Sequence, residues 1–191
     1  WASPWSGAGA LGDGGAASGD RGDREPWLLR EAGGSMLLLW SRWLAGAPGE
    51  DRRALRARRY DPATRTWAAE TVVTTLPGAG AADAQPTALA LADGSTRVFF
   101  ASDRGGGRGL WEVTLDPALV AAAPVELPGD GSDRIAPLPL LLGGDLVLLH
   151  RSDASIALDQ LAPVLSGTPA APAPTRVPEA ATLRRHAGTT T

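Results

Sequence analysis

The sequence predicts an all-β protein, a partial β-propeller of about three four-stranded antiparallel blades with Gly/Ala-rich and Pro/Ala-rich flanks. Three observations carry this. Short apolar runs alternate with a period of two and are punctuated by Asp-Gly and Asp-Pro turn signals. The stretch DREPWLLREAGGSMLLLWSR from Asp23 lines up with DAQPTALALADGSTRVFFAS from Asp83, and a shorter third copy starts at Asp133. No amphipathic helical period recurs between 23 and 161. Repeats built from four short strands are the sequence signature of propeller blades, each of which needs neighbours to bury both its faces.

The second copy is the clearest. Ala88, Ala90 and Ala92 alternate with Leu89 and Leu91 after Pro86, and Asp93-Gly94 turns the chain. Arg97 to Ala101 is a short strand rich in β-formers. The polar Ser102–Gly109 stretch reverses direction, and Leu110 to Leu115 places Trp111, Val113 and Leu115 on one face before Asp116-Pro117. In the first copy Asp23, Pro26, Gly34 and Trp40 match Asp83, Pro86, Gly94 and Phe100. Its third strand, Ala54 to Tyr60, ends in Asp61-Pro62, and a Val/Thr-rich fourth strand runs from Glu70 to Thr75. In the third copy Asp133 and Pro137 precede an apolar strand, Gly143-Gly144 mark the turn, and Ser152-Asp153 repeat Ser102-Asp103. Trp40, Phe100 and Leu149 are assigned to equivalent buried slots.

The expected organisation is a truncated upstream blade plus Gly-rich loop (1–22), three blades (23–76, 83–128 and 133–161, within 23–161), a Pro/Ala linker (162–182) and the start of a further element (183–191). The chain opens on Trp1 without a leader, which reads as a piece of a longer protein. With 191 residues it can bury roughly 70% of its unfolded surface. Its 18 basic and 21 acidic residues give a net charge of -3, no electrostatic case for nucleic acid. All the basic residues are arginine, read as composition bias. Cysteine is absent, which removes disulfides and thiolate metal sites. No apolar run approaches the roughly 18 residues of a membrane-spanning helix, so no membrane insertion is expected.

On Asp83, Pro86, Asp93-Gly94, Ser102-Asp103-Arg104, Gly107 and Leu110-Trp111, the chain resembles the sialidase-type (BNR/Asp-box-related) and TolB-type propeller repeats. The resemblance covers residues 23 to 161 and implies blade architecture. A strict Asp-box would read S-x-D-x-G-x-T-W, which Ser102-Asp103-Arg104-Gly105 does not complete. Sialidases of this fold need an arginine cluster, a Tyr/Glu nucleophile pair and an acidic general acid. The single tyrosine, Tyr60, sits where a packed strand-end aromatic belongs.

Other candidate sites read as structure. Gly7, Gly9 and Gly12 match G-x-G-x-x-G without the preceding strand or following helix that a dinucleotide site needs. Arg21-Gly22-Asp23 matches an adhesion tripeptide by composition. His150 and His186 are too far apart for a metal site, and Asp130 and Asp133 lack the later glutamate of a calcium loop. Gly105 to Gly109 form a hairpin loop, not a phosphate cradle. No catalytic residue, cofactor or metal is assigned. The binding candidates are Trp43, beside the longest loop of the first copy, and the arginines Arg53, Arg56 and Arg58.

The expected role is that of a non-catalytic binding or structural module in a larger assembly, extracellular or particle-associated, such as a bacterial surface or phage-tail-like component. Its expected partners are a protein or a second copy meeting the open blade faces, with carbohydrate as a further candidate. The competing readings are a fragment of a sialidase-like glycoside hydrolase and a carbohydrate-binding propeller.

Overall fold

The computed structural model describes residues 22–160 apart from 32, 45–50, 79–80, 130–131, 143–144 and 153–154. The expectations placed on residues 1–21, on Asp130, Gly143-Gly144 and Asp153, and on the linker and tail therefore lie outside the described residues. Among the described residues there is no helix, and every strand belongs to one of three antiparallel sheets.

The first sheet holds β1 (Asp23–Arg30), β2 (Met36–Trp43), β3 (Arg53–Asp61) and β4 (Thr66–Trp67) in that order, and β5 (Thr71–Val72) also pairs with β3. The second runs β6 (Asp83–Ala90), β7 (Thr96–Ser102), β8 (Gly109–Leu115) and β9 (Val125–Glu126). The third runs β10 (Arg134–Leu142), β11 (Asp145–Ser152) and β12 (Ser155–Gln160). The sheets thus have five, four and three strands, not four each. The extra strand arises because β3 is long enough to pair with β4 at Tyr60 and Asp61 and with β5 at Arg56 and Ala57. The first strands β1, β6 and β10 lie side by side, and each later one also packs across the preceding sheet, β6 on β2 and β3, β10 on β7 and β8. This is the blade-on-blade arrangement of a partial propeller.

Turn chemistry explains the matching hairpins. Gly34 and Gly94 take φ of 86° and 84°, and each donates its N–H back, to Glu31 and Leu91 respectively. These left-handed conformations are ones that a Cβ disfavours. In the second hairpin the Asp93 carboxylate accepts from the Ser95 hydroxyl at 2.6 Å and its N–H at 2.9 Å, which holds its pKa below the ordinary 3.8.

Two apolar layers fill the gaps between sheets. Leu37, Leu39, Leu55, Ala57 and Val73 of the first sheet meet Val98, Phe100, Val113 and Leu115 of the second. Phe99, Ala101, Leu110 and Leu127 of the second sheet meet Leu146 and Leu148 of the third. Strand alternation sorts the two phenylalanines to opposite faces. The third copy departs from the sequence alignment. Arg134, not Asp133, pairs with Ser152 as Asp83 pairs with Ser102, because Pro137 lies three residues after Arg134. The same register puts His150, not Leu149, in the position equivalent to Phe100. His150 is buried and Leu149 half-buried.

Arg134 is itself buried. Its guanidinium donates to the carbonyls of Pro128 at 2.7 Å and Leu127 at 2.8 Å, and a Cβ on Gly129 would collide with that guanidinium. A Gly129→Ala substitution is therefore expected to lower the unfolding free energy by about 1–3 kcal/mol, as overpacking does. Urea unfolding of the two proteins checks this, and an unchanged midpoint would show that Arg134 has room to move.

Candidate functional site

The first strand of every sheet carries the same irregularity. Register shifts occur between Arg24 and Trp27, between Ala84 and Thr87, and between Ile135 and Leu138. Within each shift one residue, immediately before the proline, has a positive φ: Glu25 (54°), Gln85 (54°) and Ala136 (53°). A β-bulge inserts one unpaired residue and re-aims its side chain. Left-handed backbone costs a non-glycine residue about 1–2 kcal/mol, so the hydrogen bonds that hold the bulge must offset it.

Those bonds run from sheet to sheet. The Gln85 N–H donates to Glu25 Oε2 at 2.7 Å, and the Ala136 N–H donates to Gln85 Oε1 at 2.8 Å. The Glu25 and Gln85 side chains thus each accept from the backbone of the next bulge, and the three equivalent positions form a staircase where the inner strands converge. Arg53, at the start of β3, donates from Nη1 to both Glu25 oxygens at 3.3 Å and from Nε and Nη2 to Asp51 at 2.8 and 2.9 Å. Glu25 and Arg53 line a pocket of about 60 Å³ with Gln85, Asp103 and Arg108. Asp103 Oδ1 accepts from the Ala82 N–H at 2.7 Å, fixing that carboxylate at the rim. The pocket therefore gathers two carboxylates and two guanidinium groups. Its volume admits a few water molecules, less than a sugar ring needs.

Behind the pocket lies a buried polar clamp. Asp83, fully buried, accepts from Ser102 Oγ at 2.7 Å and from Thr74 Oγ1 at 2.6 Å, and pairs with Arg104. The Thr74 hydroxyl accepts in turn from the Leu55 N–H at 2.9 Å, and Ser41 Oγ donates to the Asp83 carbonyl at 2.6 Å. The Arg104 guanidinium also lies 5.6 Å from the centre of the Phe100 ring and 5.2 Å from that of Trp111. The Ser102-Asp103-Arg104 stretch is thus the fastening of the second sheet: two residues grip Asp83 and the third grips Ala82. In the first sheet Asp23 is gripped by Arg42, which donates to both carboxylate oxygens at 2.8 and 2.9 Å and lies over Trp40. Arg42 is raised above its ordinary pKa chiefly by that hydrogen bond.

The binding candidates named from sequence divide. Trp43 and Arg53 are cross-strand partners at the pocket end of the first sheet, and Trp43 is half-buried. Arg56 and Arg58 point to the opposite face by alternation. Arg56 Nε lies 3.3 Å from Glu70, with its pKa lowered by burial. The arginine run is not one patch, and only Arg53 lines the pocket. Tyr60 packs on Trp67 with ring centroids 5.2 Å apart. Seven residues of strand, about 20 Å, separate it from Arg53. Among the described residues no group of three or more His, Asp or Glu is arranged to hold a metal ion. Sequence reasoning passed over Glu25, Gln85 and Asp103. The available signal was the residue before proline in D-x-x-P, a carboxylate in one copy and an amide in the next.

No protein-family profile matches the chain, and no curated protein does. Solved structures do. The endo-arabinase from Bacteroides thetaiotaomicron VPI-5482 is similar with a TM-score of 0.55 and 15% identity, over 76% of this chain and 58% of that one. A thermostable family-43 glycoside hydrolase is similar with a TM-score of 0.55 and 7% identity, over 73% of this chain and 55% of that one. This chain thus spans little more than half the length of either. At these identities the likeness shows the fold alone. It nevertheless corrects the expectation of a non-enzyme. That expectation rested on three blades without a sialidase constellation, and the fold is one that glycoside hydrolases carry.

Proposed function

We propose that this chain is part of a glycoside-hydrolase-type propeller and that the pocket at the convergence of the inner strands faces its substrate. The observation that carries the reading is the meeting of Glu25 and Asp103 with Arg53 and Arg108 in that pocket. Glycoside hydrolysis needs two carboxyl groups flanking the scissile bond. One protonates the leaving oxygen, and the other activates water or attacks the anomeric carbon. Arginines beside them donate to sugar hydroxyls and orient the ring. In this reading Glu25 and Asp103 are the carboxyl pair, and Arg53 and Arg108 the donors. In this reading the pocket of about 60 Å³ forms one wall of the site. The likeness to an endo-arabinase and a family-43 glycoside hydrolase supports this substrate class.

The test is release of reducing ends from linear arabinan and xylan by the full-length protein. Glu25→Gln and Asp103→Asn keep the acceptors for the Gln85 and Ala82 N–H groups, so the fold should survive. Each is expected to lower kcat/KM by about a hundredfold or more, the scale of lost general acid–base catalysis. No release from either polysaccharide, or variants as active as the parent, would overturn the reading.

A further inference from the structure

A second, larger cavity adjoins the pocket. It has a volume of about 480 Å³ and lies between the Gly105–Gly109 loop, the segment after β9 and the start of β10. Arg108 lines both cavities, so the two are neighbours across one side chain. The volume falls within the roughly 300–1,000 Å³ of small-ligand sites, unlike that of the pocket itself.

We propose that this cleft binds a neutral oligosaccharide, holding sugar units next to the one that enters the pocket. The proposal rests on the carbohydrate reading above for its ligand class. Four features support it. Glu126 and Arg108 both line the cleft, and neither side chain makes a hydrogen bond or ion pair among the described residues. A free carboxylate and a free guanidinium in one cleft ask for a ligand that donates and accepts at once, as sugar hydroxyls do. An anionic ligand would meet Glu126, and a cationic one would meet Arg108 and Arg134. Gly105, Gly107 and Gly109 give the floor bare backbone. The Glu126 carboxylate occupies the space that side chains at 105 and 109 would need, with Oε1 only 2.7 Å from a Cβ built on Gly109. Beneath Gly109 the Trp111 ring N–H is buried without a hydrogen-bond partner, 3.6 Å from that same position. Arg134 holds the Leu127 and Pro128 carbonyls and so fixes the far wall.

Calorimetric titration of the full-length protein with linear arabino- and xylo-oligosaccharides tests this without requiring turnover. Glu126→Ala removes the free acceptor at an exposed position. Gly107→Leu fills the cleft where a Cβ meets nothing within 4 Å. Each variant, once an unchanged melting temperature shows that it folds, is expected to bind the oligosaccharides about tenfold more weakly, the scale of one lost charge-assisted hydrogen bond. Binding by the parent that both variants lose supports the cleft even where no hydrolysis is seen, an outcome that removes only the hydrolase reading. Unchanged affinity in both variants, no binding by the parent, or preference for polygalacturonate over the neutral chains overturns it.

Discussion

Replacing Asp83 with alanine is expected to lower the unfolding free energy by about 3–5 kcal/mol, as breaking a buried ion pair does. The magnitude follows from what is left behind. Asp83 is fully buried, and the Arg104 side chain is only 7% exposed, so the guanidinium would lose its partner without regaining water. The hydroxyls of Ser102 and Thr74 would lose their acceptor as well. Thr74, just after β5, is tied to Leu55 of the first sheet, and Asp83 begins the second, so the damage falls on the seam between them. Urea unfolding of the full-length protein reads the effect. The double variant Asp83→Ala/Arg104→Met should recover part of the loss, because a buried pair replaced by apolar groups is often close to neutral. A loss below about 1 kcal/mol in the single variant would mean that the clamp is solvated.

The fold was legible because each level of the sequence agreed with the next. Alternation in β7 and β8, the Asp-Gly turn and the repeat from Asp23 to Asp83 all called for the same hairpins, and the structure forms them. Trp111, Val113 and Leu115 share the face they were assigned, toward the first sheet. The pocket was less legible for a physical reason. Its members belong to different sheets and meet only through closure of the inner strands, so no spacing along the chain brings Glu25 near Asp103. Arginine abundance pointed instead to a contiguous run in β3, where the strand period of two divides Arg53 from Arg56 and Arg58.

The third copy shows where alignment by residue type misleads. Asp133 resembles Asp23 and Asp83 in sequence, yet a bulge is defined by its distance to the proline, and that distance selects Arg134. Moving the register by one residue transfers every side chain of a strand to the other face. The chemistry of the slot changes with it: an acid gripped by an arginine in two sheets becomes an arginine gripping carbonyls in the third.

Phe100→Ala carries the consequence of that register. Phe100 is fully buried between the first and second sheets, against a layer that includes Leu37, Leu39, Leu55 and Val73. Truncating it is expected to cost about 3–5 kcal/mol, through lost transfer energy and a cavity that two twisted sheets cannot close. The Arg104 guanidinium also loses the ring it lies over, which couples this site to the Asp83 clamp. The sequence alignment would give Leu149→Ala a comparable penalty, since it assigns Leu149 to the same slot. The structure does not, because Leu149 is half-buried and opposes Leu138 on the face away from the second sheet. The expected result is a loss for Leu149→Ala less than half that for Phe100→Ala, read from unfolding midpoints at constant denaturant dependence. Equal losses would restore Leu149 to the Phe100 slot and move β11 by one residue against its neighbours.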